Sequence, residues 1–237
     1  METKMNNLQK LGGLAALYEA IAYIAGMVFF IGVVNYTAAD DPIQKVALLV
    51  DNQAMLSLIN LIIYVLFGIV LVVLSLALHD RLKAGSPAIM QTATAFGLIW
   101  AGVVIASGMI YNIGLGVVAE LYSTDPAQAA TVWLAIDAVF EGIGGGVEVL
   151  GGLWTLLVSW AALRTGSFSK ALNGLGTVVG LAGIATIVPA FGEIGGIVFG
   201  LGQIVWFAWL GIVMLRSQSA SVKANVDTLI PQHGTAA

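Results

Sequence analysis

The sequence predicts an all-α polytopic membrane protein, a bundle of six transmembrane helices with both termini cytoplasmic. Three observations carry that expectation. Of the 237 residues, 59% are hydrophobic and only 9% are charged, against about 25% charged in a soluble domain. With a mean hydropathy of +0.97, the chain has too few charges to cover a surface facing water. Apolar stretches recur at the length of about 20 residues that crosses a hydrocarbon core about 30 Å thick. The basic residues fall almost entirely on one side of those stretches.

The first stretch runs from Leu11 to Val34 and the second from Met55 to Leu78. The third covers Thr92 to Val118, and the fourth Thr131 to Leu163. A Gly-rich fifth runs from Leu172 to Pro189, and the last from Ile194 to Leu215. Continuous apolar runs of this kind lack the alternation of a barrel wall. The N-terminus does not read as a cleavable signal: Glu2 precedes a run that is too long, and no A-x-A pattern follows. Residues 1–216 are expected to form the membrane domain, and 217–237 a short, polar, disordered cytoplasmic tail.

Lys4, Lys10, Arg81, Lys83, Arg164, Lys170, Arg216 and Lys223 fall in the termini or the even-numbered loops, and Lys45 alone falls opposite. Basic loops stay in the cytoplasm, so this asymmetry predicts the orientation in a plasma membrane. The opposite loops carry Asp40, Asp41, Asp51, Glu120 and Asp125, with Tyr36, Tyr122 and Trp133 placed to sit at the interface. Three spans in each half would give any internal repeat inverted topology, but the halves show no self-similarity.

Composition also excludes several chemistries. The chain has no cysteine, which removes disulfides, thiolate metal sites and iron–sulfur clusters. Its two histidines, His79 and His233, lie outside the middle of any span, so a haem or an intramembrane zinc site lacks ligands. No lysine lies within a span to carry a retinal-type Schiff base. A net charge of −4 offers no basic patch for nucleic acid. No cofactor is expected, and the metal question stays open.

The segments LGGLAALYEAIAYIAG (Leu11–Gly26) and LRTGSFSKALNGLGTVVGLAGIATI (Leu163–Ile187) share a Leu-Ala-Gly-rich opening span and an Arg-x-Gly turn entering a Leu/Gly-rich fifth span. In this the chain resembles a family of bacterial six-span membrane proteins catalogued as a domain of unknown function. The resemblance implies a six-helix fold in a bacterial inner membrane. It implies no activity and gives no residue a role.

The fourth span carries the informative chemistry. On one continuous helix, Asp137, Glu141 and Glu148 would lie within about 40° of one another. Gly144, Thr155 and Ser159 extend that stripe, and Val139, Ile143, Leu150, Leu153 and Leu157 face the other way. At about 1.5 Å per residue, Glu148 lies about 21 Å from a boundary near Ala162, and Glu141 near the opposite boundary. Asp137 is expected in the headgroup zone, where solvent satisfies it. Glu19 in the first span lies about 13 Å beyond Lys10, near mid-depth. Asn60, Asn112 and Gln203 add polar groups at overlapping depths. Burying a charge centrally costs about 2.5–3.5 kcal/mol, and no basic side chain shares a span with Glu19 or Glu148. Each is therefore protonated, solvated by cavity water or compensated by a bound cation, or else acts as a neutral packing hydrogen-bond donor.

Glycines at four-residue spacing, Gly192, Gly196 and Gly200 in the last span and Gly176 and Gly180 in the fifth, are expected to let helix backbones pack closely. The Gly144–Gly146 run reads as close packing too, or as a local unwinding that exposes carbonyls to a ligand. Three functions follow. The first is a small transporter or solute-binding protein whose outward acidic pocket takes protons, cations or amines through Glu148, Glu19 and Glu141, with Gln203, Asn112 and Asn60 as further binding groups. The second is a non-catalytic accessory or assembly subunit whose Gly-rich faces pack on partner chains. The third is an enzyme using the carboxylates for acid–base work or to hold a divalent ion, although no nucleophile accompanies them.

Overall fold

Helix boundaries follow from the chemistry of each turn. A computed structural model describes residues 2–29, 32, 41–145 and 148–229, with side chains for residues 7–216 of those ranges except 145. Among the described residues the regular structure is all helical: α1 (Glu2–Val28), α2 (Pro42–Asp51), α3 (Gln53–Asn60), α4 (Phe67–Leu82), α5 (Pro87–Tyr122), α6 (Pro126–Phe140), α7 (Val149–Thr165), α8 (Lys170–Ala185) and α9 (Gly192–Leu229). Pro42, Pro87 and Pro126 open their helices where a missing N–H costs nothing. The Asp41 and Asp125 carboxylates cap α2 and α6, accepting from Ile43 N at 3.2 Å and Gln128 N at 2.9 Å. Gly166 ends α7 at φ +64°, and Ser169 caps α8.

Among the described residues, five stretches are long and apolar enough to cross a bilayer: Asn7–Val28, Gln53–Leu82, Pro87–Tyr122, Pro126–Thr165, which contains the interruption after α6, and Pro189–Arg216. The expected span at 172–189 contains a shorter helix, Lys170–Ala185, of 16 residues. Past its end the Thr186 hydroxyl donates to Gly183 O at 2.7 Å, and Pro189, which has no N–H to continue the ladder, opens a 3-10 turn, Pro189–Phe191. The expected end of the first span, with Val34, Tyr36 and Asp40, lies outside the described residues. The expected tail from 217 continues the α9 backbone to Leu229, and 230–237 lie outside the described residues.

Helices α1, α4, α5, α7, α8 and α9 close a ring, each packing on the next and α9 returning to α1. Aromatic rings fill its interior: Phe67 to Trp100 at 5.8 Å, Trp100 to Trp154 at 5.7 Å and Trp154 to Trp206 at 5.7 Å. A second apolar cluster, built on Leu49, Leu56, Tyr111, Leu115 and Trp133, sits toward the α2 and α6 end. Large apolar side chains such as Ile113 (72% exposed) and Ile194 (68%) cover the outside. A bilayer accepts that surface and water does not.

The two ends differ in charge. Gln9 Nε2 donates to Ala77 O at 2.8 Å, Gly12 meets Met214, and the Arg81 guanidinium lies 5.0 Å over the Phe168 ring. These contacts gather Lys10, Arg81, Lys83, Arg164, Lys170 and Arg216 at one end. Asp41, Asp51, Glu120 and Asp125 mark the other.

Two helices are interrupted by π-helical turns. Leu61–Leu66 joins α3 to α4, and Glu141–Gly145 follows α6. Such turns leave carbonyls without their ordinary partners; at the first, Tyr18 donates its hydroxyl to Ile62 O at 2.6 Å. Beside it, Asn60 Nδ2 donates to Gly108 O at 2.7 Å and to Asn112 Oδ1 at 2.9 Å, while Asn112 Nδ2 donates to Ser57 O at 3.2 Å. These two asparagines therefore clamp the α3 region to α5. Interhelical side-chain bonds within a bilayer couple by about 0.6 kcal/mol and rarely beyond 1.7. A double-mutant cycle of Asn60→Ala and Asn112→Ala, read by unfolding in mixed micelles, should return a coupling in that range. A coupling of zero would break the clamp.

Candidate functional site

The site begins with a break in a helix. The stripe of Asp137, Glu141 and Glu148 assumes one continuous helix, and the backbone corrects this. After the π-helical turn at Glu141–Gly145, Glu148 lies outside any helix at φ −92°, ψ 20°, and α7 starts at Val149. Three successive glycines hold a helix poorly, and the backbone leaves helical geometry at Gly144 (φ 178°, ψ 10°). Close packing holds there as well, since a Cβ on Gly144 would come within 3.3 Å of Ser107 Oγ, closer than an ordinary contact. Below the break the expected inward stripe holds, with Thr155 and Ser159 buried.

Helix α8 fixes Glu148 from the side. The Glu148 N–H donates to Thr186 Oγ1 at 2.9 Å, and that hydroxyl donates onward to Gly183 O. Thr186 thus does for α7 what a capping side chain usually does. The Glu148 carbonyl accepts from Gly152 N at 2.8 Å. Gly183 lacks the Cβ that would otherwise press to 2.9 Å from Glu148 O.

With its backbone held, the Glu148 side chain lines a cavity of 420 Å³ enclosed by α1, α4, α5, α9 and the break. That volume suits a small molecule. Tyr23, Tyr64, Phe67 and Trp100 line it beside the carboxylate. Among the described residues neither the Glu148 carboxylate nor the Tyr23 and Tyr64 hydroxyls make a hydrogen bond, so all three remain available to a ligand. Gly26, Gly144, Gly196 and Gly200 complete much of the wall with backbone alone.

The other expected site residues are not brought together there. Glu19 is fully buried one helical turn before Tyr23, and among the described residues both of its carboxylate oxygens lack a partner. It lies outside the cavity wall, yet Tyr23 interacts electrostatically with both Glu19 and Glu148. An ionised carboxylate at Glu19 would have nothing to offset its charge. Glu141 is exposed rather than pocketed. Asp137, expected in solvent, is half-buried on the α6 face that carries Trp133 and feels the charge of Lys45 on α2. Asn60 and Asn112 serve the clamp described above. Gln203 is buried and donates Nε2 to Thr155 Oγ1 at 3.0 Å, which ties α9 to α7.

The glycine rows divide. Gly176 and Gly180 pack closely as expected, Gly180 against Gly152 O and Leu156. Among the described residues nothing lies within 4 Å of a Cβ built on Gly196 or Gly200, and both open onto the cavity. The expectation of close packing fails for that pair within this chain. Sequence reasoning also missed the four aromatic residues of the wall. Tyr23 had one available signal, its place a turn after an intramembrane Glu. Tyr64, Phe67 and Trp100 had none, because they lie in unbroken apolar runs.

Among the described residues, no three His, Asp or Glu side chains gather as metal ligands. Among the described residues the lining brings together one carboxylate without a hydrogen-bond partner, two phenols and two further aromatic faces, a set that can take up a proton or a cation. No protein-family model, curated protein or solved structure matches the chain.

Proposed function

We propose that the chain is a six-span membrane protein that takes protons, cations or amines at Glu148, as a small transporter or solute-binding protein. In this reading α8 and the 3-10 turn after it make the sixth crossing. The end carrying Arg81 and Arg164 faces the cytoplasm with both termini, as basic loops do, and the cavity lies nearer the opposite, outer end. The observation that carries the reading is the Glu148 carboxylate, uncommitted in a 420 Å³ cavity and anchored through its backbone by Thr186. Carboxylates inside membrane domains mark ion and substrate paths when they face a cavity. Glu19, buried and without a hydrogen-bond partner among the described residues, suits a second protonation site beneath the first.

Glu148→Gln in proteoliposomes is the direct test. Proton-coupled cation flux should fall to the level of empty liposomes while the variant keeps its elution profile and helicity. Undiminished flux in a folded variant would remove Glu148 from the function. One observation favours the accessory-subunit reading: Gly196 and Gly200 lie open beside the exposed Ile194 and Ile197, a face on which a partner helix could pack.

A further inference from the structure

The geometry points to a lipophilic organic cation, an amine or quaternary ammonium bearing an apolar body, as the ligand of the Glu148 cavity, admitted sideways from the bilayer between α1 and α9. This deepens the proposed function and rests on it. The described lining disfavours the alternatives chemically. A calcium ion takes about six to eight oxygen ligands and a magnesium ion holds to a near-octahedral, largely hydrated set, whereas this wall offers one carboxylate and two phenols on an otherwise apolar surface. An anion would meet the carboxylate and no lining cation. An ammonium group meets a carboxylate and the aromatic wall of Tyr23, Tyr64, Phe67 and Trp100, the combination that recognises quaternary nitrogen. The rest of the wall is apolar and glycine, with room for hydrocarbon.

The route follows from how α1 and α9 pack. Toward the basic end they touch backbone to backbone: a Cβ on Gly211 would lie 2.8 Å from Gly13 O, and one on Gly13 would lie 3.2 Å from Gly211 O. Toward the other end, among the described residues, nothing lies within 4 Å of a Cβ on Gly200 or Gly196. Met27, Ile197 and Leu201 line the cavity and are also exposed on the apolar perimeter, so they form its mouth. Gly200 lies sixteen residues before Arg216, about 24 Å along the helix, which keeps the mouth inside a hydrocarbon core about 30 Å thick. A ligand reaching it must first dissolve in lipid.

The test uses the full chain in lipid nanodiscs and Trp fluorescence, to which Trp100 in the wall contributes. The probes are benzyltrimethylammonium, its uncharged isostere neopentylbenzene, and choline as a hydrophilic cation. Benzyltrimethylammonium should bind at least about tenfold more tightly than either other probe, and Glu148→Gln should weaken it by about thirtyfold or more. Gly200→Leu narrows the mouth at a position where a Cβ meets nothing within 4 Å among the described residues, so the variant should fold, and it should slow association about tenfold or more. Equal binding of neopentylbenzene, or association unchanged by Gly200→Leu, overturns the inference. Choline binding as tightly as benzyltrimethylammonium, with both lost in Glu148→Gln, overturns it while leaving the proposed function standing. Cation binding indifferent to Glu148→Gln overturns both. A change of oligomeric mass in Gly200→Leu, with cation binding unaltered, replaces the inference with a partner helix at that face.

Discussion

Gly152→Ala should be among the most damaging single substitutions in the chain, lowering stability by about 3 kcal/mol, the upper end of what overpacking costs. The added methyl would sit 2.7 Å from Gly180 O, 2.7 Å from Ile184 N and 2.9 Å from Gly183 C, all backbone atoms of α8. No rotamer change relieves such a contact, so α8 itself must move. In the opposite direction, a methyl on Gly180 would lie 2.8 Å from Gly152 O. Because Thr186 follows α8 and holds the Glu148 N–H, the displacement should also weaken cation binding at a distance from the cavity. The control is Gly174→Ala on the same helix α8, where a Cβ meets nothing. Relief of a helical glycine should make it neutral or stabilising by about 0.5–1 kcal/mol. Unfolding by SDS titration in mixed micelles measures both. Equal midpoints for the two variants would show that α7 and α8 do not rely on glycine contact.

The membrane architecture was legible because it rests on two coarse quantities, run length and the side on which a charge falls, and neither depends on packing. Asp41-Pro42 and Asp125-Pro126 carried ordinary capping signals, yet α2 was read as loop because it is short and lies between spans. The interruption after α6 was harder. Gly144–Gly146 satisfies both a packed and an unwound reading, and Gly144 meets both, against Ser107 on α5 and in a backbone that leaves the helix. The same ambiguity produced the error at Gly196 and Gly200, where the spacing that brings backbones together elsewhere instead leaves a wall without side chains. Glu148 was found from sequence because a charge inside a span is conspicuous at any rotation of the helix. Tyr64 and Trp100 were not, because the π-helical turn at Leu61–Leu66 and the tilt of the ring set which aromatic residues face the cavity. Asn60, Asn112 and Gln203 show the reverse case: polar residues at the expected depth that bond to neighbouring helices instead of a ligand.

Cation affinity should rise with pH by about tenfold per unit on the acid side of Glu148 ionisation and become flat above it. The sign follows from competition at one carboxylate. The protonated group carries no charge for an ammonium to meet, so each cation bound displaces one proton, and the slope reports one proton exchanged. Over two pH units on the acid side the change is about a hundredfold, large enough to read by titration in nanodiscs. Other groups near the cavity test the assignment. Glu141, exposed beyond the break, interacts with Glu148 only through space, so Glu141→Gln should shift the profile without changing its slope. Tyr23→Phe and Tyr64→Phe should lower affinity and also keep the slope, because a phenol contributes contacts and no exchangeable charge. Glu19→Gln should likewise leave the slope at one, because Glu19 makes no hydrogen bond to Tyr23 or Glu148 among the described residues. Linkage is reciprocal, so the coupling by which a cation expels a proton is the coupling by which a proton gradient drives the cation out. A unit slope with no flux in liposomes would mark a binding protein, and a unit slope with flux an exchanger.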